Sequence, residues 1–349
     1  MPVKQLLKEM SLLSAPSGAE DEAADYFEEK LREGGWKASR DVLGNVIGVK
    51  GVGAKKILFA AHLDAPSLAV AGVTKEGFIR FVKVGGLYDG LLGCARVVIH
   101  AKKRLKGVIG LKPPHLMKEE DSKKVVEFEQ LFIDAGLKDA DEAKKLGVKP
   151  GVPIAFDASF DELENGLVLG TAFDNRAGCA VLLAVARELK VPKDATVYLV
   201  GTVREETGLW GAGAVVFEVK PDLAVAVDVT LVSGTPDLQE DRLPAKLGGG
   251  PVLGVLEGSG RGLIMPKKLV DWFEKVAEKH KIPLQFEAIE KGATDASRMQ
   301  YMRSGFLAAG IGVPSRYIHS PNEVVCIKDL QEAKKLVDAL VAEFPSSGF

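Results

Sequence analysis

The chain has 349 residues, 46% of them hydrophobic and 27% charged, with a formal net charge of −2 and a pI near 6.3. That length exceeds one ordinary hydrophobic core and suggests a large domain accompanied by a smaller one. The charge balance gives no electrostatic ground for nucleic acid or an anionic membrane as partner, and no run approaches the ~18–20 apolar residues needed to span a bilayer.

The first 18 residues are amphipathic and interrupted early by Glu9, unlike the apolar stretch of a secretory signal. Cys94, Cys179 and Cys326 are scattered and lack C-x-x-C spacing. They read as small core residues in a reduced, cytoplasmic setting. Asparagine occurs only at 45, 165, 175 and 322 while Lys and Glu are plentiful, a composition similar to that of thermophile proteins.

A helix is predicted over 19–33, opened by Asp21 and Glu22 and stopped by Gly34-Gly35. Two strands follow: 42–49, with a Gly-Asn turn signal, and 56–61, an almost wholly apolar run ending before His62. Such a run belongs in the buried centre of an α/β sheet. Between 67 and 163 the character changes to short β-like pieces (68–74, 77–84, 97–100, 107–111, 153–156) separated by Gly and Pro. A lysine- and acid-rich stretch among them, 117–145, reads as a solvent-facing helix. Beyond Gly166 strand and helix alternate again. Helices are expected at 175–190, 211–217, 265–280 and 329–344, and strands at 196–202, 223–229, 284–288 and 306–312. The fold class is therefore α/β, with a catalytic domain formed by 1–68 and 164–349 and interrupted by an inserted β-rich domain, 69–163.

Side chains with chemistry gather at the carboxyl ends of strands in open α/β sheets. His62 and Asp64 follow one predicted strand, Glu205 and Glu206 a second, and Asp228 ends a third. Asp174 precedes a helix, and His319 lies in a loop after 306–312. Singly, each has an ordinary structural reading: a hydrogen-bonded histidine, an N-cap, a solvated acid pair. Asp228 fits least well, because a carboxylate after Leu-Ala-Val-Ala-Val is costly to bury unpaired. The recurrence of the pattern across five segments points to a joint role. Two histidines with several carboxylates suit a pair of divalent ions, Zn²⁺, Co²⁺ or Mn²⁺, bridged by one carboxylate, with another, unligated, as general base.

These residues lie in segments that resemble the M42 metallo-aminopeptidases, the TET-type peptidases whose relatives also carry the name endoglucanase. The segments are AHLDAPSLAV (61–70), GVIGLKPPHLM (107–117), GTAFDNRAGCAVLL (170–183), VGTVREETGLWGA (200–212), AVDVT (226–230), KGATDASRMQ (291–300) and SRYIHSPNEVV (315–325). The resemblance implies a mixed-sheet α/β/α peptidase domain carrying a small β-barrel-like insertion used in assembly into dodecamers. It implies that Asp174 bridges two metals, that His62 and Asp228 complete one site, and that Glu206 and His319 complete the other. Glu205 is then the base, Asp64 orients the His62 ring, a cis peptide follows Asp174, and the substrates are peptides with a free N-terminus. Two positions depart from the family pattern: Ala65-Pro66 stand where relatives have Glu and Ile, and Trp210 stands where a basic residue is common. A bulky Trp210 is expected to narrow the pocket and favour small or neutral N-terminal residues, or else to pack against the sheet.

Three other readings compete. Glycosidases flank the scissile bond with carboxyls roughly 5–9 Å apart and give the surrounding His and Asp no role. A di-metal carboxypeptidase, dipeptidase or deacylase needs a basic group for a carboxylate, which Arg204, Arg298 or Arg316 could supply. A metal-stabilised scaffold has no use for an unligated glutamate beside the metals.

Overall fold

The computed structural model describes residues 1–120, 123–238 and 243–349. Among these, a large sheet is built on four parallel strands, Ala195–Thr202, Lys55–His62, Leu223–Leu231 and Leu307–Arg316, in that spatial order. Their near-continuous runs of Val, Leu, Ile and Ala are buried on both faces, as strands covered by helices require. Antiparallel strands extend the sheet on both sides, through Val46–Gly51 and Lys37–Arg40 at one edge and Glu323–Cys326, Leu167–Gly170 and Phe160–Glu162 at the other. Val252–Leu256 branches from Leu307–Arg316 and carries Gln285–Ala288.

The helix Phe173–Glu188 is buried along nearly its whole length, between the strands and the helices Val3–Ser11, Asp21–Glu33 and Ile327–Glu343 that pack against it. Trp210–Val219 and Asp295–Gln300 pack on each other, and Asp295–Gln300 also meets the central strands. In Asp21–Glu33, Ala23, Ala24, Phe27 and Leu31 form the buried stripe, with acids in the first turn and Lys30 and Arg32 in the last, as the helix dipole favours. Gly178 is needed where Phe173–Glu188 crosses the sheet. A Cβ there would lie 2.2 Å from the Val227 carbonyl oxygen.

Between Lys55–His62 and Phe160–Glu162 the chain forms a closed six-stranded barrel: Ser67–Val73, Ile79–Val84, Phe132–Asp134, Arg104–Gly110, Arg96–His100 and Pro153–Phe156, in spatial order. Alternate side chains such as Leu68 and Val70, Ile79 and Phe81, and Val97 and Ile99 fill its interior. The stretch 117–145 is mostly not helical, contrary to the sequence expectation. Phe132–Asp134 is a barrel strand that pairs Ile133 with Ile79 and Ile109. Among the described residues the stretch holds one α-helix, Ala140–Leu146, capped by Asp139 and ended by Gly147 at φ 84°, and a short 3-10 turn, Phe128–Gln130. Burial of Ile133 outweighs the surrounding charge; Asp121 and Ser122 of that stretch lie outside the described residues. Cys179 and Cys326 are buried as expected, whereas Cys94 is exposed in a turn. Among the described residues no helix is long and apolar enough to cross a membrane.

Candidate metal centre

The parallel strands bring the acids and histidines to one end of the sheet. Thr202 is in register with His62, so the 203–206 turn leaves the sheet beside the end of Lys55–His62. Asp228 lies within Leu223–Leu231, beside Gly312. Asp174 occupies the non-helical first turn of Phe173–Glu188, and the Asp174–Asn175 peptide is cis. His319 follows Leu307–Arg316 in a turn at φ 63°.

The side chains converge around Asp174. Its Oδ1 is 3.0 Å from His62 Nε2 and its Oδ2 is 3.3 Å from His319 Nε2. His62 Nε2 is also 3.5 Å from Asp228 Oδ1 and 3.9 Å from Glu205 Oε2, while His319 Nε2 is 3.4 Å from Glu206 Oε2. Ligand atoms of His62, Glu205 and Asp228 all lie within 4.8 Å of one another, and so do those of His62, Asp174 and Glu206.

Backbone carbonyls set the tautomer of both imidazoles. His319 Nδ1 is 2.7 Å from the Gly86 carbonyl oxygen and His62 Nδ1 is 3.1 Å from that of Asp64. A carbonyl only accepts, so each Nδ1 donates, which leaves each Nε2 to donate to the carboxylates when the ring is protonated and to offer its lone pair to a cation when the ring is neutral. Gly86 sits at the base of the barrel, and a Cβ there would lie 3.1 Å from the His319 ring.

The supports of the cluster are themselves buried polar groups. Asp64, fully buried, accepts from the Glu205 N–H (3.0 Å) through Oδ1 and from the Glu206 N–H (3.3 Å) and the Ser17 hydroxyl (2.7 Å) through Oδ2. Its Oδ1 stands 3.5 Å from His62 Nδ1, so it steadies the glutamate pair as well as the imidazole. Glu323 accepts from the Asp174 N–H (2.7 Å) with Oε2 and from the His319 N–H (3.0 Å) with Oε1. Asn45 accepts from the Val203 N–H and donates to the Gly211 carbonyl, bracketing the turn that carries Glu205 and Glu206. Thr202 donates to Asp295 Oδ2, while Asp295 Oδ1 has no partner. Glu323, Asn45 and Asp295 carry no functional role legible from the sequence. The one available signal was spacing, with Glu323 four residues from His319 and Asn45 alone in an apolar context.

The electrostatics match a cation site. Burial, with Asp174 nearby, pushes Glu206 up to about 8, and burial also drives Glu205 and Asp228 upward. Against the burial of Asp174, hydrogen bonds with His319 and His62 hold it below the usual carboxylate range. Burial disfavours charge on His319, yet Asp174 and Glu206 lift it to about 9. Among the described residues Glu206 Oε1 has no hydrogen-bond partner, though it is buried. Carboxylates packed this closely around two imidazole Nε2 atoms are a donor set of the N and O type that divalent Zn²⁺, Co²⁺ or Mn²⁺ accepts in place of the imidazole protons.

A cavity of about 580 Å³ opens on the cluster, lined by His62, Asp174, Glu205, Glu206, Asp228 and His319 and continued by the 229–231 and 287–294 segments. Trp210 does not line it. This residue is half exposed, stacked under the Arg298 guanidinium at 5.2 Å, and donates to the Thr207 carbonyl. Arg204, Arg298 and Arg316 are absent from the lining as well.

A sequence profile of the M42 glutamyl aminopeptidase family matches residues 44–336. A lysyl aminopeptidase of Pyrococcus furiosus is 32% identical over 312 residues, covering 88% of each chain. An aminopeptidase from the archaeon Desulfurococcus kamchatkensis superimposes with a TM-score of 0.92 at 38% identity, over 98% of this chain and 94% of that one. The TET1 peptidase of Pyrococcus horikoshii gives 0.86 at 33%, over 97% and 99%, and is described as assembling into a tetrahedron or a large octahedral shell.

Proposed function

The chain belongs to the M42 glutamyl aminopeptidase family and is a peptide-bond hydrolase, and from that premise we propose that it removes N-terminal residues from peptides at a two-metal centre. The observation that carries this reading is the division of Asp174, with one oxygen toward His62 and the other toward His319. Asp174 would be shared between the two ions, with His62 and Asp228 holding one and Glu206 and His319 the other. When bound, the ions supply positive charge that acidifies water and polarises a carbonyl.

The chain's own groups perform the rest. Among the described residues the Glu205 carboxylate forms no side-chain hydrogen bond, and it faces the cavity beside His62 and Asp228. It is placed to take a proton on its carboxylate and return it to the leaving amine. Asp64 fixes that carboxylate through the Glu205 N–H and acts as a positioning residue for it and for His62.

Glu205 also lies near enough to His62 and Asp228 to share an ion with them. Glu205→Gln separates base from ligand. As base, its loss lowers kcat by about 10²–10⁴ with two bound metals retained. As ligand, its loss lowers the metal count measured by elemental analysis.

The names of relatives differ on substrate, glutamyl for the family and lysyl for the Pyrococcus furiosus enzyme, so they leave the preferred residue open. The preference for small or neutral residues expected from Trp210 loses its ground, since Trp210 lies outside the cavity lining. The carboxypeptidase reading loses the arginines it would need. By likeness to the TET1 peptidase of Pyrococcus horikoshii, described both as a dodecamer and as assembling into a tetrahedron, the chain forms a homo-oligomer, and the family resemblance gives the 69–163 insertion the assembly role. The three free cysteines fit a reducing, cytoplasmic setting.

A further inference from the structure

The cavity continues past the metal centre to a second pair of acids, Glu257 and Glu287, which have no part in the chemistry above. Their carboxylates converge over Gly254, each within 3.7 Å of where a Cβ on that residue would stand. The two acids differ in how they are satisfied. Glu257 accepts from the Thr294 N–H (3.0 Å), the Thr294 hydroxyl (2.9 Å) and the Ser297 hydroxyl (2.7 Å), which ties the 257–265 loop to the start of Asp295–Gln300. Glu287, only 8% exposed, has one donor, the Thr230 hydroxyl, shared between its two oxygens at 2.5 Å each. Among the described residues no Lys, Arg or His lies within ion-pair distance of it. A carboxylate offers about four acceptor sites and is costly to keep buried without a cation. Glu287 is therefore a buried acid with vacant acceptor capacity on the wall of the catalytic cavity, beside a second buried acid.

Its distance from the reacting centre suits one kind of side chain. Thr230 lies two residues beyond Asp228 on the same side of Leu223–Leu231, so the Glu287 contact sits about 6.6 Å along the strand from the metal ligand. That is roughly the reach of an extended lysine side chain, whose apolar stem would run along Leu231 and Ile289. The basic residue lining the cavity, Lys291, is exposed at the rim, where solvent screens it.

We propose that Glu287, held by Thr230 and backed by Glu257, is the specificity-determining residue of this cavity and selects peptides with a basic N-terminal side chain. The inference rests on the aminopeptidase reading above. It supplies the ammonium with a charge-assisted hydrogen bond that a neutral side chain of equal length lacks.

Lysyl and norleucyl p-nitroanilides isolate that difference, because they share length and stem and differ in the terminal charge. For the metal-loaded enzyme, kcat/KM is expected to favour lysyl over norleucyl by about ten-fold or more, with glutamyl poorest. In Glu287→Gln, checked for folding by its melting curve, the lysyl-to-norleucyl ratio falls to near one. Glu287→Leu is a second variant in which the order inverts. A wild-type enzyme that cleaves norleucyl as well as lysyl, or a ratio unchanged in a folded Glu287 variant, overturns the assignment. Failure to cleave any aminoacyl substrate overturns the aminopeptidase reading and this inference with it.

Discussion

Glu323 touches no substrate in this account, yet it holds two ligand-bearing backbones at once. It is 1% exposed, and its two oxygens take the N–H groups of Asp174 and His319 at 2.7 and 3.0 Å. Glu323→Gln keeps the shape but leaves one acceptor oxygen for two donors and turns an amide N–H₂ against the other. Leaving a buried donor unmet costs about 1–3 kcal/mol. The Asp174 bond is the shorter, so the loss should fall on the His319 turn, whose ring faces Glu206 and Asp174 Oδ2. Expressed as affinity, that cost weakens one of two metal sites by roughly 5- to 150-fold. Titration calorimetry of the chelated protein with Zn²⁺ or Co²⁺ should then show one weakened site and one within about three-fold of wild type, as expected for groups that orient ligands. The apo protein should also melt a few degrees lower. Two unchanged affinities with an unchanged melting temperature would refute the claim that this carboxylate sets the His319 position.

Other consequences follow from the same geometry. Asn45→Ala strips the Val203 N–H of its buried partner and removes a second bond from the helical Gly211 carbonyl, so denaturant unfolding should show a loss of about 1–3 kcal/mol. Gly86→Ala puts a methyl 3.1 Å from His319 Nδ1, and a displaced ring should lower kcat by about ten-fold while far-UV circular dichroism stays native. Burial raises Asp329 to about 6, against the hydrogen bonds it accepts from the Gly248 and Gly250 N–H groups. Its folded pKa exceeds its unfolded value, so its contribution is fully present below about pH 4 and is lost as pH rises through about 6. The unfolding free energy of Asp329→Asn relative to wild type, from denaturant melts, should therefore climb across that window by at most about 3 kcal/mol and then level off. A gap that is flat with pH would contradict it.

The central strands were legible because burial on both faces writes an uninterrupted apolar run. The run read as 56–61 is Lys55–His62, and that read as 196–202 is Ala195–Thr202. The barrel strands were legible from alternation punctuated by glycine and proline. Phe132–Asp134 was not, since three residues inside a charged stretch carry too little pattern against helix-forming neighbours. Glu323–Cys326 was missed for a related reason, its four residues lying between a Pro-Asn turn and a helix. The cluster around Asp174 could be anticipated from acids and histidines at strand ends, but their pairing could not be derived from spacing. Which imidazole faces which Asp174 oxygen depends on contacts between residues far apart in the chain, and that pairing came from family resemblance. Glu287 gave no sequence signal either, since an acid in Gln285–Ala288 looks like an ordinary outward strand residue until Thr230 is seen against it.

The central claim, a metal-dependent aminopeptidase, is tested most directly by one comparison. A peptide with a free N-terminus and its N-acetylated twin are incubated with chelated enzyme before and after Zn²⁺, Co²⁺ or Mn²⁺ is restored, and the products are read by mass spectrometry. The account predicts stepwise loss of N-terminal residues from the free peptide alone, and only after metal is returned. Equal cleavage of the acetylated peptide, or cleavage undiminished by chelation, would contradict it.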